Sequence, residues 1–320
     1  MSPSFLGIEV GGTKLQVALG QGDGQITAIE RREIRPADGA QGLLFQISDV
    51  CRSLLGSNLP VEDHPAALGI GFGGPVDPVR GIVLKSHQVD GWDEFPLADW
   101  AREALEIPLV ALQNDADTAG LGEARFGAGR GFSPLVYVTI GSGIGGGLIL
   151  DGEIYRGSGL GAAEIGHLWI DDDASPRKLE SIASGWSIGE AGRSVFVEGG
   201  QPGLIETLAC GHREKVDAPL LARAAEGGDP RAIAIFRTAT RALGRALGHV
   251  VTLLGPRRII LGGGVSMLGE SLWFAPIREE LTRRGFPPFR GSFDLVPALL
   301  GQEVVLHGSL ALAHDLWEQA

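Results

Sequence analysis

Two glycine clusters and two acid-bearing segments carry the chemistry legible in this chain. Gly11-Gly12-Thr13-Lys14 joins two short apolar runs, and Gly141-Ser142-Gly143-Ile144-Gly145-Gly146-Gly147 joins two more. A loop without side chains lets backbone N–H groups lie directly on a phosphate, and Thr13 with Lys14 would complete the contacts. Taken alone, Gly11–Lys14 reads first as an ordinary hairpin turn, whereas five glycines in seven residues at 141–147 exceed what a turn requires. Asn114-Asp115 stands where a strand ends and a helix begins. An Asp there is a helix N-cap, or a carboxylate kept ionised by the helix N-terminus and able to accept a hydroxyl proton. Glu164 and His167 place an imidazole three residues after a carboxylate, following the glycine-rich stretch 157–161. Such a pair receives two neighbouring hydroxyls, ligates a metal, or is a surface Glu beside a packed His. Leu179-Glu180 says nothing in isolation.

Other chemistries fail on motif. The chain has no Gly-x4-Gly-Lys-[Ser/Thr], no Cys-x-x-Cys, no His-Glu-x-x-His, no EF-hand loop and no Gly-x-Ser-x-Gly. No Gly-x-Gly-x-x-Gly with an acid at the ribose distance marks a dinucleotide site.

The elements that must position these residues alternate. Strands are expected at 5–10, 15–19, 66–72, 108–112, 135–140, 148–150 and 258–261, the third closed by Gly73-Gly74-Pro75 and the last by Gly262-Gly263-Gly264. Helices are expected at 99–106, 116–126, 218–226, 230–254 and 309–317. The longest carries Ile233, Phe236, Leu243, Leu247, Val250 and Leu254 at three- and four-residue spacing. Residues 171–178 read as a surface loop. Strand, glycine turn and strand occur near residue 6 and again near residue 136, which fits two duplicated α/β domains each opening with a hairpin.

Composition agrees. At 320 residues with 44% hydrophobic and 21% charged side chains, the chain has material for two cores. Its 50 glycines are bunched rather than periodic, so they mark sharp turns or close approaches. A net charge of −12 disfavours nucleic acid and anionic membranes as partners. The uncharged run 131–150 holds six glycines and is a poor membrane span. Two cysteines and no leader-like N-terminus point to reduced thiols in the cytoplasm.

Taken in order, these motifs resemble the ROK (repressor, open reading frame, kinase) family of sugar kinases. The matching stretches are 6–14, 69–77, 114–117, 121–123, 126–131, 140–147, 164–167, Leu179-Glu180 with Ala183-Ser184-Gly185, and 259–265. The resemblance implies a two-domain α/β protein of the actin-like ATPase (ribonuclease H-like) fold with an interdomain cleft. Its domains would be 1–113 plus about 305–320, and 114–304. It implies ATP-dependent phosphorylation of a hexose hydroxyl, most simply the glucose 6-OH, with Asp115 as general base. Gly74, Gln88, Asn114, Asp115, Glu164, His167 and Glu180 would hold the sugar. Gly11, Gly12, Thr13, Lys14, Gly141, Ser142, Gly143 and Gly145 would hold the ATP phosphates with Mg²⁺, and Gly262, Gly263 and Gly264 would border the adenosine. A homodimer is what the family suggests.

Three departures stand out. Glu9 replaces the family's Asp near the metal, and Gln88 lies in His87-Gln88-Val89-Asp90 where the family has Pro-Asn-Leu. The family's structural zinc uses the motif histidine and three cysteines ahead of Leu-Glu, but 171–178 contains no cysteine, so no zinc site is expected and His167 is released from that duty. Two other kinds of protein compete with a glucose kinase. A kinase of fructose, allose or N-acetylmannosamine differs only in the sugar. A non-catalytic sugar- or nucleotide-binding relative would follow from Glu9 and the missing zinc, although the joint presence of Lys14, Asp115 and both glycine loops argues for catalysis. A sugar-sensing repressor is disfavoured by a first strand beginning at residue 5 and by the acidic charge.

Overall fold

The computed structural model describes residues 3–56, 64–86, 89–170, 176–199 and 202–320. In chain order its first elements are β1 (Phe5–Val10), β2 (Lys14–Gly20), β3 (Ile26–Glu33), α1 (Gly39–Leu55), β4 (Ala67–Phe72), β5 (Val76–Asp77) and β6 (Ile82–Val83). Then come α2 (Leu97–Leu105), β7 (Val110–Asn114), α3 (Asp115–Phe126), β8 (Leu135–Ile140), β9 (Ile144–Leu150) and β10 (Glu153–Ile154). They are followed by β11 (Trp169–Ile170), β12 (Arg177–Lys178), α4 (Glu180–Ala183), α5 (Gly185–Ser194), α6 (Leu204–Leu208) and α7 (Ala218–Glu226). The last are α8 (Pro230–Leu254), β13 (Arg258–Gly262), α9 (Ala275–Arg284), β14 (Asp294–Pro297) and α10 (Val304–Gln319).

Two compact units result, one of residues 1–132, 147–162 and 299–320, the other of 133–146 and 163–298. In the first, the sheet order is β3-β2-β1-β4-β7, with β1–β2 and β2–β3 antiparallel and β1–β4 and β4–β7 parallel. Strand alternation sorts the side chains. Leu6, Ile8 and Val10 join Leu68, Ile70 and Phe72 in one core with Leu43, Leu44 and Ile47 of α1 and Leu97 and Ala101 of α2. Each such fully buried side chain contributes about 1.5–3 kcal/mol. Phe5 and Ala67 point the other way, onto Leu310 and Ala313 of α10.

On that second face the glycines set the distance. A Cβ at Gly69 would collide with the Ser309 carbonyl, and one at Gly71 with the Val305 side chain, so α10 lies directly on the β4 backbone. The expected boundary at 113/114 put α3 in the other domain; the structure puts α3 here, because Gly122 and Gly308 let α3 and α10 pack backbone to backbone. The fully buried Glu123 fastens the same region, its Oε2 accepting from Ala128 N at 2.7 Å and its Oε1 from Leu299 N and Leu300 N at 2.8 and 2.9 Å.

The second sheet has the order β10-β9-β8-β13-β14, with β8, β13 and β14 parallel. In the second unit α8 is bounded by its own chemistry. The Asp229 side chain caps Arg231 N and Ala232 N, Pro230 occupies the first turn, and Gly255 ends the helix at φ 53°. Phe236, Leu243 and Leu247 of the expected stripe are buried; Ile233 and Leu254 at its ends are exposed, and alanines 232, 239 and 246 complete the inner face. The buried Glu206 carboxylate takes both terminal nitrogens of Arg231, at 2.7 and 2.8 Å, and Arg231 also meets Asp229 at 2.9 Å. The Arg231 hydrogen bonds hold Glu206 at about 2, well below the usual carboxylate range. Among the described residues no helix is long and apolar enough to cross a membrane.

Candidate active site

In the first unit, β1, β4 and β7 run parallel and end side by side, so the residues just beyond their C-terminal ends converge. The turn after β1 is Gly11–Thr13, closed by Gly11 N donating to Lys14 O at 3.0 Å; Lys14 itself opens β2. After β4, Gly73 N donates to Val10 O at 2.8 Å. Gly73 is glycine for a reason of space: a Cβ there would meet Val10 O, Gly11 Cα and Asp115 Oδ2 at 3.2, 3.4 and 3.4 Å. The space left by the missing Gly73 side chain is therefore bordered by both the candidate phosphate turn and the candidate base.

After β7, the helix cap is Asn114 and not Asp115. Asn114 Oδ1 accepts from Ala116 N at 2.8 Å and Asp117 N at 3.3 Å, while its Nδ2 donates to Gly74 O at 3.1 Å. Asp115 is the first helical residue, and its own Oδ1 also accepts from Ala116 N, at 2.8 Å.

Glu9 lies on β1, the central strand of its sheet, with its side chain 13% exposed and both its oxygens in contact with polar side chains. Oε2 accepts from Gln16 Nε2 at 2.5 Å, and Oε1 lies 3.5 Å from Lys14 Nζ. Burial raises its pKa above the ordinary carboxylate value, opposed by the Lys14 charge and the Gln16 hydrogen bond.

In the second unit the glycine-rich stretch is shorter as a turn than its sequence suggests. Only Gly141-Ser142-Gly143 bend; Gly145, Gly146 and Gly147 lie inside β9. Gly146 and Gly147 are glycine because backbone approaches them: a Cβ on Gly146 would collide with Ala163 O, and one on Gly147 would press on Ala116 O at 3.0 Å. The bend itself is pinned at both ends, with Gly185 N donating to Gly141 O at 2.8 Å and Ile144 N donating to Glu180 Oε2 at 2.8 Å. The candidate phosphate turn and the candidate sugar carboxylate Glu180 are therefore bonded to each other. The Glu180 Oε1 has no protein partner among the described residues. Glu164 precedes a short 3-10 turn that ends at His167, whose backbone N donates to Glu164 O at 3.1 Å. Both side chains are exposed.

A cavity of about 390 Å³ opens beside the bend, lined by Gly141, Ser142, Trp186, Arg193, Asp217 and Gly264 among others. Of the three glycines that end and follow β13, Gly264 reaches this wall. Gly262 and Gly263 serve packing, since a Cβ on either would collide with the Tyr137 hydroxyl or the Ile140 carbonyl. Arg193 is held by Val216 O at 2.8 Å and Glu190 Oε2 at 2.9 Å, and Trp186 stands 76% exposed. Neither Trp186, Arg193 nor Asp217 was expected at the site; an exposed Trp directly after the Ala183-Ser184-Gly185 motif was the available signal. Gln88 and residues 171–175 of the expected loop lie outside the described residues.

Comparison with known proteins gives one consistent picture. The ROK family model matches residues 5–316. A glucokinase of Thermotoga maritima is 33% identical over 97% of this chain and 97% of its own length. A ROK family glucokinase of Streptomyces griseus, solved with glucose and AMPPNP, superposes with a TM-score of 0.82 at 30% identity, covering 98% of this chain and 99% of that one. A xylose repressor of Caldicellulosiruptor bescii is 25% identical over 97% of this chain and 77% of its own length.

Proposed function

The chain belongs to the ROK family, whose solved kinases have the actin-like ATPase fold, and on that premise we propose that it is an ATP-dependent hexose kinase acting on the 6-OH of glucose. The observation that carries this reading is the meeting of the Gly11 turn and the Asp115 carboxylate at Gly73. Phosphoryl transfer needs a base on the attacking hydroxyl and a cradle for the phosphates within a few ångströms of each other, and little other covalent chemistry from the protein.

Asp115 takes the proton of the sugar hydroxyl as its oxygen attacks the γ-phosphorus; the bond from that phosphorus to the bridging oxygen breaks and ADP leaves. Asn114 fixes Asp115 from the preceding position, tied to Gly74 O on one side and to the helix N–H groups on the other. Gly74, Asn114, Glu164, His167, Glu180 and Gln88 are assigned to the sugar. Gly11–Lys14 and Gly141–Gly143 are assigned to the phosphates, and the cavity at Trp186 to the nucleoside, with the base stacked on the indole. Mg²⁺ enters as part of the MgATP substrate. Glu9, whose Oε2 accepts from Gln16 and whose Oε1 lies 3.5 Å from Lys14 Nζ, is assigned to holding Lys14, and each oxygen keeps a lone pair with which it would meet that ion. A homodimer belongs to the same proposal.

The test is ADP release from MgATP against glucose, mannose, fructose, allose, N-acetylmannosamine and N-acetylglucosamine. Sugar-dependent turnover with glucose as the best acceptor is expected. Turnover with no sugar, in protein that binds nucleotide, would refute the reading.

A further inference from the structure

The donors around His167 do not fit zinc. A structural zinc is held by four thiolate and imidazole ligands, and residues 164–180 contain no cysteine. Instead a lysine occupies the ring nitrogen: Lys178 Nζ lies 3.1 Å from His167 Nδ1. The ladder of β11 and β12 brings it there, pairing Trp169 with Lys178 and Ile170 with Arg177, and Leu179 N donates to Leu168 O at 2.8 Å. Of the chain's four lysines, this is the one that falls in the stretch 171–178.

An ammonium has three donors and no acceptor, so the contact is a hydrogen bond only if Nδ1 offers its lone pair. The imidazole proton then sits on Nε2, because the tautomer is set by the bond the other nitrogen makes. Nε2 has no partner among the described residues and is left as a donor. A bound metal does the same to a histidine: it occupies one nitrogen with positive charge and fixes the ring and its tautomer.

We propose that Lys178 is a positioning residue that stands in for a metal at His167, locking the Nε2–H tautomer so that the ring donates to a ligand oxygen and the sugar subsite works without zinc. The identity of that ligand as a sugar hydroxyl rests on the kinase reading; the lock itself does not. A hydroxyl that accepts from Nε2–H can at the same time donate to a carboxylate oxygen such as Glu180 Oε1, which gives each group one partner.

Charge inversion tests the lock directly. In Lys178→Glu the carboxylate accepts from Nδ1–H, so the tautomer is expected to invert. Long-range ¹H–¹⁵N spectra of the full chain, with the His167 signals assigned by His167→Gln, are expected to show Nε2–H in the wild type and Nδ1–H in the variant. Glucose KM is expected to rise about tenfold in Lys178→Glu and Lys178→Met with the ATP KM unchanged, and Lys178→Arg to restore most of the affinity. Metal analysis of the active wild type is expected to find no stoichiometric zinc. An unchanged tautomer in Lys178→Glu, unchanged glucose KM in Lys178→Met, or one zinc per chain whose removal abolishes activity would each overturn the proposal. An inverted tautomer in a chain that binds no hexose would instead refute the kinase reading and leave the lock standing.

Discussion

Replacing Gly143 by Ala separates the two tasks of the bend after β8. The added Cβ would lie 2.6 Å from Glu180 Oε2, and nothing else within 4 Å opposes it except the carbon of the same carboxylate at 3.4 Å. Gly143 is absent from the positive-φ residues, so the backbone itself accepts alanine. The methyl group must therefore displace the Glu180 carboxylate and break its 2.8 Å bond from Ile144 N. A hydrogen bond to an ionised acceptor contributes about 1.5–3 kcal/mol, and for a half-buried carboxylate the lower part, about 1.5–2, applies. At about 1.36 kcal/mol per decade this is about a 10- to 30-fold loss in kcat/KM for the sugar. Gly141→Ala is the matched control, because its Cβ meets no protein atom within 4 Å and projects where the cavity wall begins. It is expected to raise the KM for ATP and leave the sugar KM alone. Coupled ADP-release kinetics, varying each substrate at saturation of the other, read both. If Gly143→Ala acts through Glu180, it adds nothing in a Glu180→Ala background. Full additivity there, or an ATP defect equal to the sugar defect, would refute the reasoning.

Asp115→Asn is expected to lower kcat by about 10²–10⁴ while glucose binding, measured by calorimetry, stays within about threefold. Trp186→Ala is expected to raise the KM for ATP about 5- to 100-fold if the indole stacks the base, with the glucose KM unchanged. The Glu206 carboxylate, held at about 2 against an ordinary 4.5, contributes stability that is complete above about pH 5 and is lost as the pH falls from 4.5 towards 2. That contribution is about 3 kcal/mol at neutral pH. Glu206→Gln is expected to lower the thermal midpoint at pH 7 and to flatten its dependence on pH between 5 and 3, as followed by circular dichroism.

Long elements with clear boundary chemistry were legible in the sequence. Pro230–Leu254 is framed by Asp229 and Gly255, and its expected limits coincide with the observed ones. Helix α1 went unread although Leu43, Leu44, Ile47, Val50 and Cys51 repeat at helical spacing, because Gly39 and Gly42 interrupt its start. The glycine clusters were read correctly as close approaches, but what approaches differs from one residue to the next. Gly69 and Gly71 admit α10, Gly146 admits the backbone at Ala163, while Gly73, Gly74, the bend 141–143 and Gly264 sit among the candidate site residues. Sequence spacing cannot distinguish these, since the missing Cβ looks the same in each. The cap at Asn114 was likewise hidden: either of two adjacent polar residues can cap a helix, and only the carbonyl of Gly74 decides which one does. Lys178 beside His167 depends on the register of a two-residue ladder, which no local pattern specifies.

The central claim is that the Gly11 turn and Asp115 pass a phosphoryl group to a hexose. Its most direct test is the ³¹P spectrum of the wild-type chain incubated with MgATP and glucose, alongside Asp115→Asn. The account predicts a hexose 6-phosphate resonance growing one-for-one with ADP in the wild type and at least about 100-fold more slowly in the variant. ADP accompanied only by inorganic phosphate, or an Asp115→Asn spectrum identical to the wild type, would contradict it.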